Sequence, residues 1–495
     1  METKETKRKS GVLLHISSLW GDYSCGSFGK AGREFVDFLK DCGFSLWQVL
    51  PFCLPDEYES PYSSYSVFSV NPYFIDLEPL CDVGLVTYDE LKAAKQETPY
   101  ACEFKRLKEE RFELLKKAAS RYRGGKELDG FFAAHPDTDT FCHFMAKKAT
   151  NGGKSFLEWT TDKEDKEVYE TWRFICYVFV RQWKELKKYA NDNGIEIVGD
   201  IPIYPQQDCA EVWAHPDQFQ LDENKRARRV AGVPPDYFSE DGQLWGNPIY
   251  DWDKMKEDGY AWWRARMAFM CEFFDGIRID HFRAFESYYS CDPDAKNARD
   301  GIWTKGPGMD FINAMKEVCR NNFLIAEDLG IITDEVKALV EESGFPGMRV
   351  MQFGFDGDPT SPHIPFNYEK NCIAYTGTHD NNTLLGYVFE CDDATRRDML
   401  SYCGFNGDYW NCKEAYDAII RTLLESAADT VIIPLQDILL YGADTRMNSP
   451  GVKEGNWWWR VTKDQLSKVD RGQYRRLNRL FGRLHETPEK ATGKK

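Results

Sequence analysis

The sequence lacks spaced cysteine and histidine pairs and long apolar runs. None of its 15 cysteines is spaced as C-x-x-C and none of its 8 histidines as H-x-x-x-H, which argues against a zinc site. The number of cysteines is odd and they are scattered along the chain, which is typical of buried thiols in a reducing compartment and not of a disulfide framework. The longest apolar stretches, such as residues 431–442, are too short to cross a bilayer. No apolar stretch follows the charged first ten residues, so we expect no signal peptide and a cytoplasmic protein.

Basic residues are fewer than acidic ones. The 495 residues include 63 basic and 80 acidic ones, giving a net charge of −17, which argues against a nucleic-acid scaffold. Hydrophobic residues make up 42% of the chain, enough for a globular core. Aromatic residues are abundant, with 15 Trp, 25 Tyr and 32 Phe. Most of them are expected in the core, but flat, weakly polar ligands such as sugar rings also require aromatic surfaces.

Eight short apolar runs, each followed by a helical pattern, predict parallel strands of βα units. They lie at residues 11–17, 46–51, 195–202, 275–281, 323–330, 348–355, 372–380 and 429–437. We therefore predict an α/β fold, a (β/α)8 TIM barrel with large insertions after strands two and three. An open doubly wound sheet would use similar strands. The count of eight, and the absence of G-x-G-x-x-G after the first strand, favour the barrel.

The spacing of the strands indicates the domain organisation. We predict one discontinuous barrel over residues 11–485. Residues 85–190 carry Lys and Glu at helical spacing and predict a mainly helical insertion. Residues 203–262 are rich in Pro, Gly and Trp without clear periodicity, and predict a loop-rich insertion of a kind that is more often functional than accidental. Residues 1–10 and 486–495 are expected to be disordered tails.

Acidic side chains follow the predicted strands, where a barrel carries its catalytic groups. They are, in chain order, Asp200, Asp280, Glu327, Asp328, Asp380 and Asp437, with Arg278, His281, His379 and Gln436 beside them. A carboxylate cluster with Arg and His, and no phosphate-binding glycine loop, points to glycosyl chemistry.

Cleavage of a glycosidic bond needs one carboxylate that attacks or stabilises the sugar carbon and a second, protonated carboxyl that donates to the leaving oxygen. Arg278 lies two residues before Asp280, on the same side of the strand, and can keep Asp280 ionised. Glu327 ends an apolar strand, where partial burial can raise its pKa.

Each carboxylate taken alone could instead cap a helix or form a salt bridge, and we assign Asp328 and Asp437 to such structural roles. A site for Mg²⁺ or Ca²⁺ is the other alternative for an acidic barrel end. It is disfavoured because no D-x-D or calcium-loop spacing is present. We expect no metal and no cofactor.

Several segments resemble, in order, those of the 4-α-glucanotransferases of glycoside hydrolase family 77, the amylomaltases. The similarity covers nearly the whole chain. The segments are SPYSSYSVFSVNPYFIDLEPL (60–80), VGDIPIY (198–204), GVPPDYFSEDGQLWGNPIYDW (232–252), DGIRIDHFR (275–283), AEDLG (326–330), GTHDN (377–381) and RMNSPG…NWWWR (446–460).

The resemblance implies a role for each matching residue. Asp280 would be the nucleophile, Glu327 the general acid/base and Asp380 the stabiliser of the transition state. Substrate-binding positions carried over in the same way are Tyr62, Asp200, Asp236, Tyr237, Gln243, Trp245, Asn247, Arg278 and His379.

The activity that follows is transfer of an α-1,4-glucan segment to the 4-hydroxyl of another glucose or glucan. The nearest alternative is an α-amylase-like hydrolase with the same three carboxylates. Residues 232–252 resemble the long loop that covers the active site in the family, and this resemblance favours transfer over hydrolysis. A non-catalytic glucan-binding protein would not need all three carboxylates. We expect α-1,4-glucans and maltooligosaccharides as partners, no nucleic acid or membrane, and a monomer or homodimer.

Overall fold

The computed structural model describes residues 8–235, 240–407 and 409–484. The strands are β1 (Lys9–Leu13), β2 (Leu46–Gln48), β3 (Glu196–Ile201), β4 (Val230–Val233), β5 (Gln243–Pro248), β6 (Gly276–Ile279), β7 (Ser287–Cys291), β8 (Ile302–Lys305), β9 (Phe323–Ala326), β10 (Gly347–Val350), β11 (Cys372–Tyr375) and β12 (Thr430–Pro434).

The α-helices are α1 (Lys30–Cys42), α2 (Glu78–Asp82), α3 (Tyr88–Ala93), α4 (Phe104–Arg121), α5 (Gly125–Ala134), α6 (Pro136–Thr150), α7 (Lys166–Asp192), α8 (Ala210–Ala214), α9 (Trp252–Glu257), α10 (Ala261–Phe273), α11 (Gly308–Val318), α12 (Asp334–Ser343), α13 (Leu384–Glu390), α14 (Asp393–Tyr402), α15 (Lys413–Glu425), α16 (Leu435–Leu439), α17 (Lys463–Ser467) and α18 (Arg471–Leu480). None of these helices is both long and apolar enough to cross a membrane.

Eight parallel strands close into a barrel, in the order β1, β2, β3, β6, β9, β10, β11, β12. The last strand pairs with the first, with Gly11 opposite Ile432. The β6 and β12 strands are almost fully buried, as expected of strands that face the barrel interior on one side and helices on the other. The predicted barrel is therefore confirmed, and each predicted strand corresponds to one of the eight.

The long connection between β2 and β3 contains helices α2 to α7. The longest, α7, begins after Asp165, whose side chain accepts hydrogen bonds from the N–H groups of Glu167 and Val168. One face of α7 is buried, including Trp183 and Leu186, and packs against α4, α6 and α1. Most charged positions of these helices are not buried, but Arg111 of α4 and Lys148 of α6 are.

The segment after β3 is more regular than its composition suggests. It contains β4 and β5, which join β7 and β8 in a four-stranded antiparallel sheet of order β5-β4-β7-β8. Residues 203–262 were expected to be loop-rich. The strands went unpredicted because they are short and because β4 takes its second partner, β7, from beyond β6.

The N-terminal boundary of the barrel needs a correction. Lys9 and Ser10 were predicted to belong to a disordered tail, but they lie in β1 opposite Thr430 and Val431. Ser10 is fully buried and donates a hydrogen bond to the side chain of Asn478, 2.7 Å away. Their polarity concealed this pairing, since β1 begins with a lysine that forms an ion pair with Glu196. Residues 1–7 and 485–495 lie outside the described residues.

Candidate active site

A cleft of about 620 Å³ opens at the C-terminal ends of the barrel strands. Seven of the predicted site residues line it, namely Tyr62, Gln243, Trp245, Asn247, Asp280, His379 and Asp380. Asp200 and Arg278 are buried and contact lining residues from within the barrel. Glu327 follows β9 directly and is nearly buried. Asp236 and Tyr237 lie outside the described residues.

A buried ionic network connects the ends of β3 and β6. Nη1 of Arg278 donates to both carboxylate oxygens of Asp200, at 2.9 and 2.8 Å, and lies 2.9 Å from Oδ1 of Asp280. Tyr62 donates its hydroxyl proton to Asp200 at 2.8 Å. A buried guanidinium needs such partners, and the two carboxylates outweigh the effect of burial and raise the pKa of Arg278.

Asp280 is held by this network but also reaches the cleft, with its side chain 29% exposed. Burial and the nearby negative charges of Asp200 and Asp380 raise its pKa to about 6, while Arg278 acts in the opposite direction. Asp280 is therefore largely ionised at neutral pH.

Glu327 is tied to the residue that follows Asp280. Its two carboxylate oxygens accept hydrogen bonds from the backbone N–H groups of His281, at 2.7 Å, and Leu329, at 2.9 Å. Burial raises the pKa of Glu327 to about 7, with Arg278 opposing this effect and the charge of Asp280 adding to it. Glu327 thus retains its proton at a higher pH than Asp280 does.

His281 adopts the left-handed conformation, with φ of 51°, which is uncommon for a residue other than glycine. This turn directs the N–H of His281 to Glu327, while the N–H of Asp280 donates to the carbonyl of Ile201 in β3. Backbone strain of this kind persists only where the surroundings hold it, and it is concentrated at functional sites.

Asp380 lies in a different setting, just after β11. Its carboxylate is 3.3 Å from Nε2 of His379 and accepts a 2.6 Å hydrogen bond from the side chain of Asn448. Arg446 donates to the backbone carbonyl of Asp380, also at 2.6 Å. Burial alone would raise the pKa of Asp380, but His379 and Asn448 outweigh it and hold the pKa well below its ordinary range.

Aromatic rings form one side of the cleft. The ring of Tyr62 stacks on that of His379, with centroids 5.1 Å apart and planes 15° from parallel. Trp457 lies 6.0 Å from both rings.

Residues of β5 also line the cleft. The indole of Trp245 is 37% exposed and meets the ring of His281 edge-on, with centroids 4.9 Å apart. Its N–H donates to Oε1 of Gln243 at 3.1 Å. The side chain of Asn247 donates to the carbonyl of Pro205 at 2.9 Å, which fixes the strand to the segment that follows β3.

Two carboxylates that were assigned structural roles do make contacts within the fold. Asp328 accepts from the N–H of Met348 and pairs with Arg349. Asp437 is buried and accepts from the hydroxyl of Thr376 and the N–H of Leu384.

Asn448 and Trp457 were missed as individual site residues. Both lie in the segment 446–460, which was noted for its resemblance to the family but supplied no residue to the predicted site. Only folding brings Asn448 to Asp380, 68 positions away.

In the described part of the chain, no group of three His, Cys, Asp or Glu residues is arranged to hold a metal ion.

Comparisons with known proteins agree over nearly the full length. Residues 14–466 match the family model of glycoside hydrolase family 77, described as 4-alpha-glucanotransferase. The chain is 41% identical to a 4-alpha-glucanotransferase of Streptococcus pneumoniae, over 97% of this chain and 98% of the relative. It is 39% identical to one of Synechocystis, over 96% and 98%.

Among solved structures, an amylomaltase from Streptococcus agalactiae in complex with acarbose superposes with a TM-score of 0.93 at 36% identity, covering 97% of this chain and 100% of that one. The chain therefore belongs to glycoside hydrolase family 77, the 4-alpha-glucanotransferases.

Proposed function

We propose that this protein transfers segments of α-1,4-glucans by a retaining double displacement, with Asp280 as nucleophile and Glu327 as general acid/base. The observation that carries the proposal is the pairing of an Arg278-bound carboxylate with a carboxyl of higher pKa, joined through the N–H of His281. Retaining chemistry needs such a pair, with the two carboxyl groups about 5–5.5 Å apart.

In the first step a carboxylate oxygen of Asp280 attacks the anomeric carbon. The bond from that carbon to the departing 4-oxygen breaks, and Glu327 gives its proton to this oxygen. The non-reducing-end segment then remains on Asp280 as an ester. The pKa of about 7 suits Glu327 to this donation at neutral pH, and Arg278 keeps Asp280 available as an anion.

In the second step another glucan brings its 4-hydroxyl to the anomeric carbon. Glu327, now a carboxylate, takes the hydroxyl proton, the new α-1,4 bond forms, and the ester bond to Asp280 breaks. Nucleophile and acid/base are both restored, so the reaction needs no cofactor.

Asp380 and His379 are proposed to bind hydroxyls of the glucose at the point of cleavage. Asp380 stays ionised because His379 and Asn448 lower its pKa, and its oxygens can accept strong hydrogen bonds as charge develops on the ring. Asp200 and Tyr62 are proposed to complete this subsite, the first by fixing Arg278 and the second by packing on the sugar.

The insertion over residues 203–262 is proposed to cover the active site and bind the sugars around the cleavage point. Gln243, Trp245 and Asn247 supply hydrogen-bonding groups and an apolar ring on this side, and Asp236 and Tyr237 are proposed to act with them. Transfer exceeds hydrolysis when an acceptor excludes water from the ester, which this cover would favour.

The proposed substrates are α-1,4-glucans and maltooligosaccharides. The related amylomaltase structure that contains acarbose supports such a substrate. We also propose a cytoplasmic location, in keeping with fifteen free cysteines, and a monomer or homodimer, which light scattering would distinguish.

The deciding experiment is incubation of the purified protein with maltotriose, followed by chromatography. Glucose together with a ladder of longer maltooligosaccharides is the expected result. Glucose and maltose without longer chains would mean hydrolysis and would overturn the proposed transfer. Unchanged maltotriose and unchanged maltoheptaose would mean a non-catalytic binder.

A further inference from the structure

An exposed tryptophan lies on the small sheet, outside the cleft described above. Trp303 is in β8, an edge strand of the antiparallel sheet, and its residue surface is 43% exposed. The preceding Ile302 is 50% exposed. All four residues of β8 face solvent to a large extent, which is unusual for a strand that carries Trp and Ile.

Arg283 connects the indole of Trp303 to the chain segments that follow the two proposed catalytic carboxylates. The guanidinium carbon of Arg283 lies 3.9 Å from the centre of the Trp303 ring, and its Nη1 donates to the carbonyl of Ile331. Arg283 follows Asp280 by three residues, and Ile331 follows Glu327 by four. Trp303 is therefore anchored where the two chain segments leaving the catalytic carboxylates meet.

Arg283 connects Trp303 to the segment that follows Glu327, and we expect the acceptor to approach along this segment. Glu327 must contact the 4-oxygen of the leaving or incoming glucan, so those sugars extend past the end of β9. Asp380 and the Tyr62 and His379 rings lie instead at the ends of other strands and loops. Trp245 packs on His281 and Trp303 on Arg283, so two exposed indoles follow the same short segment away from Asp280.

We propose that Trp303 is a binding platform for the acceptor glucan, contacting glucose units remote from the bond that forms. The inference rests on the proposed function. The indole would stack on the apolar face of a pyranose ring, while Arg283 holds the indole in place and Ile331, 46% exposed, extends the apolar surface. Long acceptors would use this contact and glucose would not.

The test uses a maltopentaose donor whose terminal 4-hydroxyl carries a chromophoric blocking group, so that it donates but cannot accept. Glucose and maltopentaose serve as acceptors, and chromatography follows the chromophore. For Trp303→Ala we expect the KM for maltopentaose to rise about fivefold and the KM for glucose to stay within twofold. Trp303→Phe, which keeps a ring on Arg283, should recover most of the affinity.

Trp410→Ala is the matched control, because Trp410 also stacks on a guanidinium, that of Arg396 at 4.6 Å, but lies between α14 and α15. It should leave both KM values unchanged. The platform is refuted if Trp303→Ala raises both KM values equally, lowers kcat with glucose, or changes neither. It is also refuted if the wild type is a dimer that Trp303→Ala dissociates, since β8 would then be an interface between copies. Failure of the wild type to transfer to any acceptor would instead refute the proposed function.

Discussion

Glu327 and Asp380 both follow barrel strands, Glu327 nearly buried and Asp380 with a side chain 43% exposed, and their environments shift their pKa values in opposite directions. Around Glu327 the polar partners are two backbone N–H groups, and burial raises its pKa to about 7. Around Asp380 the partners are His379 and Asn448, and its pKa falls well below the ordinary value. Burial raises the pKa at both sites, and the charge of the hydrogen-bonding partners decides whether that effect prevails.

The contrast gives the two acids different capacities. A carboxyl with a pKa near the working pH can donate and accept a proton within one catalytic cycle. A carboxyl that remains ionised cannot donate a proton, but it accepts hydrogen bonds and stabilises positive charge. Asp280 interacts electrostatically with both acids. Its negative charge raises the pKa of Glu327, and the negative charge of Asp380 raises the pKa of Asp280.

The largest effect is expected for Asp280→Asn, which removes the attacking oxygen anion. Disproportionation of maltotriose should fall by at least about 10⁴-fold. Loss of a neighbouring negative charge should also lower the pKa of Glu327 below about 7, which carbon-detected NMR of the labelled carboxyl would measure. An unchanged pKa would mean that the charge of Asp280 does not contribute to the raised pKa of Glu327.

Glu327→Gln should reduce transfer from maltotriose by about 10³-fold, because the departing oxygen no longer receives a proton. A maltosyl fluoride donor needs no protonation, so the first step should then remain fast and the ester on Asp280 should accumulate. Mass spectrometry of the intact protein detects it. An equal slowing of the first step with maltotriose and with maltosyl fluoride would contradict the role of Glu327 as the acid.

Asn448→Ala should lower kcat/KM by about 10- to 100-fold, since a charged acceptor loses a hydrogen bond. The same change raises the pKa of Asp380, which carbon-detected NMR of the labelled carboxyl would measure. Asn448→Asp, which sets a second carboxylate against Asp380, should shift this pKa further. A loss of activity without any shift would indicate that Asn448 only supports the local fold.

The pH profile of the wild type carries the smallest expected effect and tests the protonation states of Asp280 and Glu327 without any substitution. Asp280 must be ionised to attack and Glu327 must be protonated to donate, so kcat/KM should be highest between about pH 6 and 7. Activity should fall about tenfold per unit on either side. A profile that stays flat to pH 9 would contradict donation by Glu327.

Much of this arrangement could be predicted from the sequence. The eight apolar runs identified the barrel. Asp200, Asp280, Glu327 and Asp380 could be found because the catalytic groups of a barrel lie at the C-terminal ends of its strands. The sheet formed by β4, β5, β7 and β8 could not be found, because its strands are short and because the paired strands β4 and β7 are separated in the sequence by the barrel strand β6. Lys9 and Ser10 were misassigned for a related reason: their partner strand β12 is some 420 residues away.

The sequence by itself determined the order of the strands, the acids at their ends and the family to which the chain belongs, because these follow from local periodicity and motif order. The sequence also suggested an ionised Asp280 and a Glu327 of raised pKa, but only the tertiary structure identified the distant partners of these acids. Asn448 reaches Asp380 across 68 residues, and the N–H of His281 reaches Glu327 across 46. A pKa depends on the partners and the burial that the folded chain supplies. Near neighbours such as Arg278 and His379 can be identified in the sequence, but a partner as distant as Asn448 cannot.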